Sequence, residues 1–123
     1  MKLWIDDVRP APEGYVWCKS VNEVIQFFKR RDKAVLRLKN YANNIFPDDK
    51  EFLEIAADYE IEIIDLDHDA GDFASDGGDY IKLLDWLEET GRNYPIRIHS
   101  MNPVGVANMR AIIEKNGWKE IKQ

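Results

Sequence analysis

Short apolar runs alternate with longer segments of helical periodicity along the chain, and this alternation predicts an α/β fold. Apolar strands are expected at residues 2–5, 15–19, 61–67 and 96–99, and a final edge strand is expected at residues 118–121. Strands separated by helices favour a mostly parallel sheet with helices on both faces. The pattern therefore predicts a layered α/β domain.

Capping residues mark where the predicted helices begin. Ser20, with Glu23 three residues later, is typical of a capping box, and the apolar positions that follow have the helical period. Asp79 is expected to cap a second helix, and Asn102 followed by Pro103 predicts the start of a third. Four aromatic residues fall at core spacings: Trp4, Trp17, Phe28 and Trp86.

The middle of the chain allows more than one interpretation. Residues 20–46 contain neither glycine nor proline, so they form either one long helix or two helices joined near Asp32. Pro47 ends this segment, and Asp48 with Glu51 resembles a further helix start that covers residues 49–58. We expect a single domain over residues 1–123, with an extended helical segment at about residues 32–60.

The connection between the first two strands is unusually short. Only residues 8–14 separate them, which is too few for the helical crossover that usually joins parallel strands. Pro10 and Pro12 favour an extended linker, which could still run back along the sheet at roughly 3.3 Å per residue. Parallel and antiparallel directions both stay open for the second strand.

Composition indicates a soluble globular protein. Hydrophobic residues make up 45% of the chain and charged residues 33%. No apolar run approaches the roughly 20 residues of a membrane span, and the N-terminus lacks the pattern of a signal peptide, so a cytoplasmic location without membrane association is expected. Cys18 is the single cysteine, and we expect it to be a small buried residue in a strand.

The net charge of −6 is unevenly distributed. Residues 1–40 carry a net charge of +4, mostly at residues 29–39, and residues 41–123 carry −10. The basic run is typical of a solvated helix face, although it could contact a phosphate backbone. The overall excess of acids argues against a dedicated, non-specific DNA binder, and no specific DNA partner is expected. Composition leaves the oligomeric state open.

Carboxylates follow two of the predicted strands at the points where these strands end. Asp6 and Asp7 follow the first strand, and Asp67 ends the third. Because the carboxyl ends of parallel strands meet at one edge of a sheet, these acids are expected to meet and to raise one another's pKa unless a cation compensates. They therefore predict a site for Mg²⁺, or for Mn²⁺ if a histidine takes part. Asp65 lies deeper in the strand, where an arginine partner and a role in the site are both open.

Both histidines of the chain lie at the same predicted strand ends. Imidazole titrates near neutrality, so His68 and His99 are candidates for proton transfer, although ordinary hydrogen bonding is the alternative for each. Ser100 and Asn102 precede a helix N-terminus, where free N–H groups and the helix dipole favour phosphate binding. A metal held by carboxylates and facing a helix N-terminus suits a phosphoryl group.

Three stretches resemble a known family. These are "WIDDVRPAPEGYVW", "IDLDHDAGD" and "IRIHSMNPVGVANM". They are similar to the D-D-x-R-P-x-P, L-D-H-D-x-G and H-S-x-N-P-x-G stretches of a receiver-derived family named for cyclic-phosphate processing. The resemblance implies a flavodoxin-like three-layer sandwich with a five-stranded sheet in the order 2-1-3-4-5 and a degenerate first crossover. It covers nearly the whole chain except about residues 32–60.

The resemblance also implies roles for individual residues. Asp6 and Asp7 match the metal-binding acids of a receiver domain, Asp67 its phospho-accepting aspartate, and Ser100 the hydroxyl residue that contacts the phosphoryl group. A receiver also has a lysine at the end of its fifth strand, and neither lysine near the end of this chain is followed by the loop expected there. Four residues that an ordinary receiver does not need resemble the cyclic-phosphate family instead: His68, Asp69, His99 and Asn102. Of these, His68, Asp69 and His99 are the candidate catalytic residues, and Asn102 joins Ser100 as a candidate for phosphate binding.

The favoured function is metal-dependent processing of a phosphate ester, with a cyclic phosphate on an RNA end or a nucleotide as the expected partner. His68 and His99 would divide the acid and base work. Two alternatives stay open: a signalling receiver that accepts phosphate on Asp67, and a non-catalytic module that binds a nucleotide or an RNA end. The missing lysine favours the enzyme and the binding module over the signalling receiver.

Overall fold

A computed structural model of the protein describes residues 1–45 and 57–122. Within these residues, four strands form one parallel sheet in the order β2-β1-β3-β4, which confirms the flavodoxin-like α/β fold. The elements in chain order are β1 (Lys2–Ile5), β2 (Tyr15–Cys18), α1 (Val21–Ile45), β3 (Ile63–Leu66), a 3₁₀ helix (Gly71–Ser75), α2 (Ile81–Glu89), β4 (Ile96–Ile98) and α3 (Pro103–Asn116).

Strand β2 runs parallel to β1, which settles the direction that the sequence left open. Trp4 lies opposite Trp17 in the register of the two strands. The linker returns along the sheet without a helix and ends in a turn in which the Tyr15 amide donates to the Pro12 carbonyl at 3.1 Å. The prediction that Cys18 is a buried strand residue is confirmed, and burial raises the pKa of its thiol to about 12.

The expected fifth strand is reduced to a single parallel bridge between Glu120 and Ile96. The Ile96 amide donates to the Lys119 carbonyl at 2.9 Å, and the Ile121 amide donates to the Ile96 carbonyl at 2.8 Å. The Arg110 guanidinium on α3 holds the Glu120 carboxylate through both of its oxygens, at 2.8 and 3.1 Å from Nε. The chain therefore extends the sheet beside β4, in the position that the order 2-1-3-4-5 requires.

Helix α1 is one continuous helix of 25 residues rather than two. Ser20 begins it as predicted, because its hydroxyl oxygen accepts the Glu23 amide at 3.0 Å. The Glu23 carboxylate reaches back to the Lys19 amide, one residue before the cap, also at 3.0 Å. The second half of α1 and residues 57–60 are the described parts of the extended segment expected at residues 32–60. The further helix predicted at residues 49–58 falls almost entirely outside the described residues.

The prediction that Asp79 caps the second helix is wrong. Helix α2 begins at Ile81 after Tyr80, and no side chain caps it. The Asp79 carboxylate instead accepts the Ala70 amide at 3.0 Å and so fixes the loop that follows β3. The Ala70 amide lies nine residues before Asp79, and a local sequence pattern does not reveal such a distant donor.

All three described helices pack on one face of the sheet. Crossovers between parallel strands are right-handed, so connections that cross the sheet in the same direction place their helices on the same face. The connections after β2, β3 and β4 all run in one direction, whereas the opposite connection, from β1 to β2, contains no helix. Residues from all three helices and from one face of the sheet form the core: Leu3, Ile5, Ile64, Leu66 and Ile96 with Val24, Phe28, Leu83, Leu84, Leu87, Met109 and Ile113.

The opposite face of the sheet is built from the strand residues that alternate with this core. It carries Trp4 and Trp17, so the expectation of core positions is wrong for these two residues, although it is confirmed for Phe28. Trp86 packs against the core from α2. None of the described helices combines the length and the apolar character needed to cross a bilayer.

Candidate metal centre

The three acids predicted to hold a metal lie together at the carboxyl edge of the sheet. Backbone pairing continues past the strands, because the Asp67 amide donates to the Ile5 carbonyl at 2.9 Å and the Asp6 amide donates to the Cys18 carbonyl at 3.2 Å. One carboxylate oxygen from each of Asp6, Asp7 and Asp67 lies within 4.8 Å of the other two. The structure therefore brings together the residues that the sequence singled out.

A glycine allows the loop after β3 to approach this cluster. Gly71 has a φ of +55°, and a Cβ atom at this position would lie 2.3 Å from Oδ2 of Asp7. Any side chain at residue 71 would therefore collide with the Asp7 carboxylate. The loop after β3 can pass this close to the Asp7 carboxylate only because residue 71 has no side chain.

Asp6 is fully buried and already holds three hydrogen-bond donors. Its Oδ1 accepts the amides of Val8 and Arg9 at 3.0 and 2.9 Å, and its Oδ2 contacts Nε2 of His99 at 2.9 Å. Burial alone raises the pKa of Asp6, but the hydrogen bonds from Arg9, Val8 and His99 outweigh it, so the pKa is lowered. Asp6 is therefore a firmly ionised carboxylate.

The pKa of Asp7 is raised, whereas that of Asp6 is lowered. Burial raises the pKa of Asp7, its own backbone amide lowers it, and the contact with Asp6 and the negative charges of Asp6 and Asp67 raise it further. This repulsion is the condition that a bound cation relieves. A cluster of oxygen donors of this kind suits a hard divalent ion, so the side chains fit the expected Mg²⁺.

His99 is enclosed beneath the cluster. Its Nδ1 lies 2.6 Å from Oδ1 of Asp65 and its Nε2 lies 2.9 Å from Oδ2 of Asp6, so both ring nitrogens are engaged. Trp4 stacks on the imidazole at a centroid distance of 3.9 Å, and the His99 side chain is only 8% exposed. Burial lowers the pKa of His99, but the hydrogen bonds to Asp65 and Asp6 outweigh it and raise the pKa. The geometry favours a positioning role on Asp6.

Asp65 has the arginine partner that the sequence left open, whereas a role in the site stays a prediction. It is fully buried, and its Oδ2 accepts a hydrogen bond from the Arg97 guanidinium at 3.3 Å while its Oδ1 contacts His99. Asp65 therefore has an arginine partner and is also linked to the acidic cluster through His99.

His68 lies on the other side of the acids, against the first turn of α3. Its Nδ1 contacts Oδ1 of Asp69 at 2.7 Å, and its amide donates to Oδ1 of Asp67 at 2.7 Å. Its side chain is 15% exposed, and within the described residues its Nε2 has no hydrogen-bond partner. His68 is thus the histidine with a ring nitrogen that can meet a substrate.

Asn102 caps α3, as the sequence predicted. Its Oδ1 accepts the Gly105 amide at 3.0 Å, and its own amide donates to the hydroxyl oxygen of Ser100 at 3.1 Å. Among the residues that the structure describes, the Ser100 hydroxyl and the Asn102 side-chain NH₂ donate to no partner and can donate to a ligand. Phosphate binding by these two residues stays a prediction.

Two contributors to the site were missed by the interpretation of the sequence. Arg9 donates from Nη1 to the His99 carbonyl at 3.3 Å and so holds its guanidinium near the acidic edge. Arg9 is the arginine of the D-D-x-R-P stretch, so the sequence motif could have singled it out. Trp4 stacks on His99. The sequence shows that Trp4 is an apolar strand residue, but it does not show which face of the sheet Trp4 lies on or which side chain it contacts.

A parallel sheet in this order, with clustered carboxylates at its carboxyl edge, is the architecture of a receiver-type α/β domain. The family model described as the cyclic-phosphate processing Receiver domain matches residues 1–115, and the chain belongs to that family. No curated protein and no solved structure shows a significant match to the chain.

Gly105→Ala is expected to destabilise the protein by about 1–3 kcal/mol through overpacking. A Cβ atom at residue 105 would lie 2.4 Å from Cγ of His68, so the imidazole ring must leave the first turn of α3. Urea denaturation of Gly105→Ala measures the loss. In a His68→Ala background the same change should be neutral or stabilising, because alanine is the better helix former. Equal losses in both backgrounds would contradict this contact.

Proposed function

We propose that the chain processes a phosphate ester, in the first place a cyclic phosphodiester, at the carboxyl edge of its sheet. The observation that carries this proposal is the convergence of three carboxylates within 4.8 Å beside a histidine with a free ring nitrogen. Hydrolysis of a phosphate ester needs compensation of negative charge, proton transfer and an anion site. At this edge the carboxylates are the candidates for holding a cation that compensates charge, His68 is the candidate for proton transfer, and the N-terminus of α3 is the candidate anion site.

Asp7 and Asp67 are the acids best suited to hold a divalent ion directly. Asp6 already receives three hydrogen bonds, and so it contributes mainly negative charge and one remaining lone-pair direction. When bound, Mg²⁺ or Mn²⁺ would neutralise phosphate charge and lower the pKa of water. His99 supports this arrangement by fixing the orientation of Asp6, as partners of metal-ligating carboxylates commonly do.

His68 is the candidate for proton transfer. The Asp69 carboxylate accepts the proton on Nδ1, which leaves Nε2 as the basic nitrogen. In the hydrolysis of a 2′,3′-cyclic phosphate, Nε2 takes a proton from the attacking water while the water oxygen bonds to phosphorus. The bond from phosphorus to one ribose oxygen breaks, that oxygen takes up a proton from solvent, Nε2 releases its proton to solvent, and the product is a phosphate monoester.

The negative charge of the phosphate has three candidate partners at this edge. The Ser100 hydroxyl and the Asn102 side-chain NH₂ lie at the N-terminus of α3, where the helix dipole favours an anion. Arg9 supplies a guanidinium close to the His99 carbonyl. Arg9 is the arginine of the D-D-x-R-P stretch, and we propose that its guanidinium contacts the phosphate.

His68→Ala is expected to lower turnover of a 2′,3′-cyclic nucleotide by about 10²–10⁴-fold, which is the usual contribution of a positioned acid or base. Product is measured by chromatography with Mg²⁺, with Mn²⁺ and with EDTA. Asp72→Asn removes an exposed acid from the neighbouring 3₁₀ helix and serves as the control, with activity unchanged.

The outcomes separate the candidate functions. Turnover that is independent of both the metal and His68 contradicts the proposal. Binding of the nucleotide without turnover indicates a recognition module instead. A phosphoryl group on Asp67 after treatment with acetyl phosphate, detected by mass spectrometry, indicates a receiver that accepts phosphate.

A further inference from the structure

The face of the sheet that no described helix covers carries aromatic and basic side chains in adjacent rows. The strand register places Tyr15 beside Lys2, and it places Trp17 beside Trp4. We call the three aromatic residues Trp4, Tyr15 and Trp17 the aromatic strip. None of the described helices packs over this strip, because their buried side chains join the core on the other face.

Contacts within the strip hold its rings in fixed positions. Trp4 and Tyr15 meet edge to face at a centroid distance of 6.1 Å. The ammonium of Lys2 lies 5.7 Å from the centre of the Tyr15 ring, and that of Lys19 lies 4.6 Å from the centre of the Trp17 ring. All three aromatic residues keep part of their surface exposed. Ordered aromatic rings of this kind are suited to stacking with planar ligands.

The charge of this face is opposite to that of the whole chain. The protein carries a net charge of −6, yet Lys2, Lys19 and Arg9 lie on or beside the strip. Asp65 is the one acid among the strand residues of this face, and it is buried and bound to Arg97 and His99. The face therefore presents cations without exposed strand acids, which complements a phosphate backbone.

The strip continues directly into the metal centre. The Trp17 indole N–H donates to the Asp6 carbonyl at 2.8 Å, and the Trp4 indole N–H donates to the Arg9 carbonyl at 2.8 Å. Asp6 directly follows β1 and lies two residues after Trp4, which is about 7 Å along an extended chain. A planar group on the strip would therefore lie within one nucleotide of a phosphate at the acids.

We propose that the aromatic strip binds the bases of a single-stranded nucleic acid whose terminal phosphate lies at the metal centre. Stacking rings and a backbone-tracking positive charge are the two features that sequence-tolerant single-strand binding requires. The identity of the end group rests on the proposed function, whereas the binding of the bases does not. The substrate class is then an RNA end rather than a free nucleotide.

The test is fluorescence anisotropy with a labelled oligouridylate of about eight nucleotides, within the usual site sizes. The oligonucleotide ends in a 3′-hydroxyl and EDTA is present, so neither metal nor end-group chemistry contributes. Tyr15→Ala and Trp17→Leu are each expected to weaken binding at least about fivefold. Lys2→Ala should reduce the dependence of log K on log salt by about 0.7.

Matched variants locate the binding surface. Tyr41→Ala removes an exposed tyrosine from α1, and the double variant Lys33→Ala, Arg37→Ala removes charge from the basic run on the same helix. Neither is expected to change affinity for the oligonucleotide by more than about twofold. Urea denaturation of every variant confirms that it is folded.

Three results would overturn the proposal: unchanged binding in both Tyr15→Ala and Trp17→Leu, loss of binding in the α1 double variant, or no binding by the wild type. If instead Tyr15→Ala converts a dimer into a monomer in light scattering without affecting the oligonucleotide, the face is an interface between two copies and the proposal also fails. Binding through the strip without turnover of cyclic phosphates supports this inference and contradicts only the proposed function.

Discussion

Asp65→Ala is expected to lower the free energy of unfolding by about 3 kcal/mol, the largest loss of stability among single changes at the site. Removing one partner of a buried ionic network leaves the others uncompensated, at a typical cost of about 3–5 kcal/mol. Asp65 is fully buried between Arg97 and His99. The lower end of this range is expected because the Arg97 side chain is 29% exposed and can regain water.

Urea denaturation of three variants measures this network. Asp65→Asn keeps a hydrogen-bond acceptor but loses the charge, so an intermediate loss is expected. Asp69→Asn changes a carboxylate whose side chain is 62% exposed, and its effect should stay within about 0.5 kcal/mol. Equal effects of Asp65→Ala and Asp69→Asn would show that the buried network contributes little to folding.

Two of the helix caps predicted from local sequence are confirmed, whereas the cap predicted at Asp79 is not. Ser20 and Asn102 each cap a helix through contacts within a few residues, and a local pattern can specify such contacts. The acids at the ends of β1 and β3 were also placed together correctly, because parallel pairing brings strand ends to one edge. These predictions needed only element types and their order.

Two features that depend on contacts between distant segments were not predicted: the sheet face that no described helix covers and the enclosure of His99. The alternation of strands and helices indicates two covered faces, but the helix-free connection between β1 and β2 leaves one face without a described helix. His68 and His99 look equivalent in the sequence, since each follows a strand. Contacts between β1, β3 and β4 enclose His99, and such contacts between distant segments leave no signature in a single sequence.

Asp67→Asn is expected to weaken Mg²⁺ binding more than about 100-fold, beyond the 10–100-fold typical of a residue that only supports a metal ligand. Wild-type protein should gain about 2.7 kcal/mol in unfolding free energy at a Mg²⁺ concentration of 100 Kd, and this gain should vanish in the variant. The reason is the loss of one of the three clustered carboxylates. Calorimetric titration gives the affinities, and urea denaturation with Mg²⁺ or with EDTA gives the stabilities.

Asp7→Asn gives the sharper test, because its two effects have opposite signs. Burial, Asp6 and Asp67 raise the pKa of Asp7, so above that pKa the ionised carboxylate opposes folding in the absence of a cation. In EDTA at pH 7, Asp7→Asn should therefore be more stable than the wild type, while in Mg²⁺ it should be less stable. Asp72→Asn, the exposed control, should follow the wild type in both conditions. A carboxylate that binds the ion must reduce the stabilisation by Mg²⁺ when its charge is removed. If Asp7→Asn is stabilised by Mg²⁺ as much as the wild type, Asp7 does not share an ion with Asp6 and Asp67.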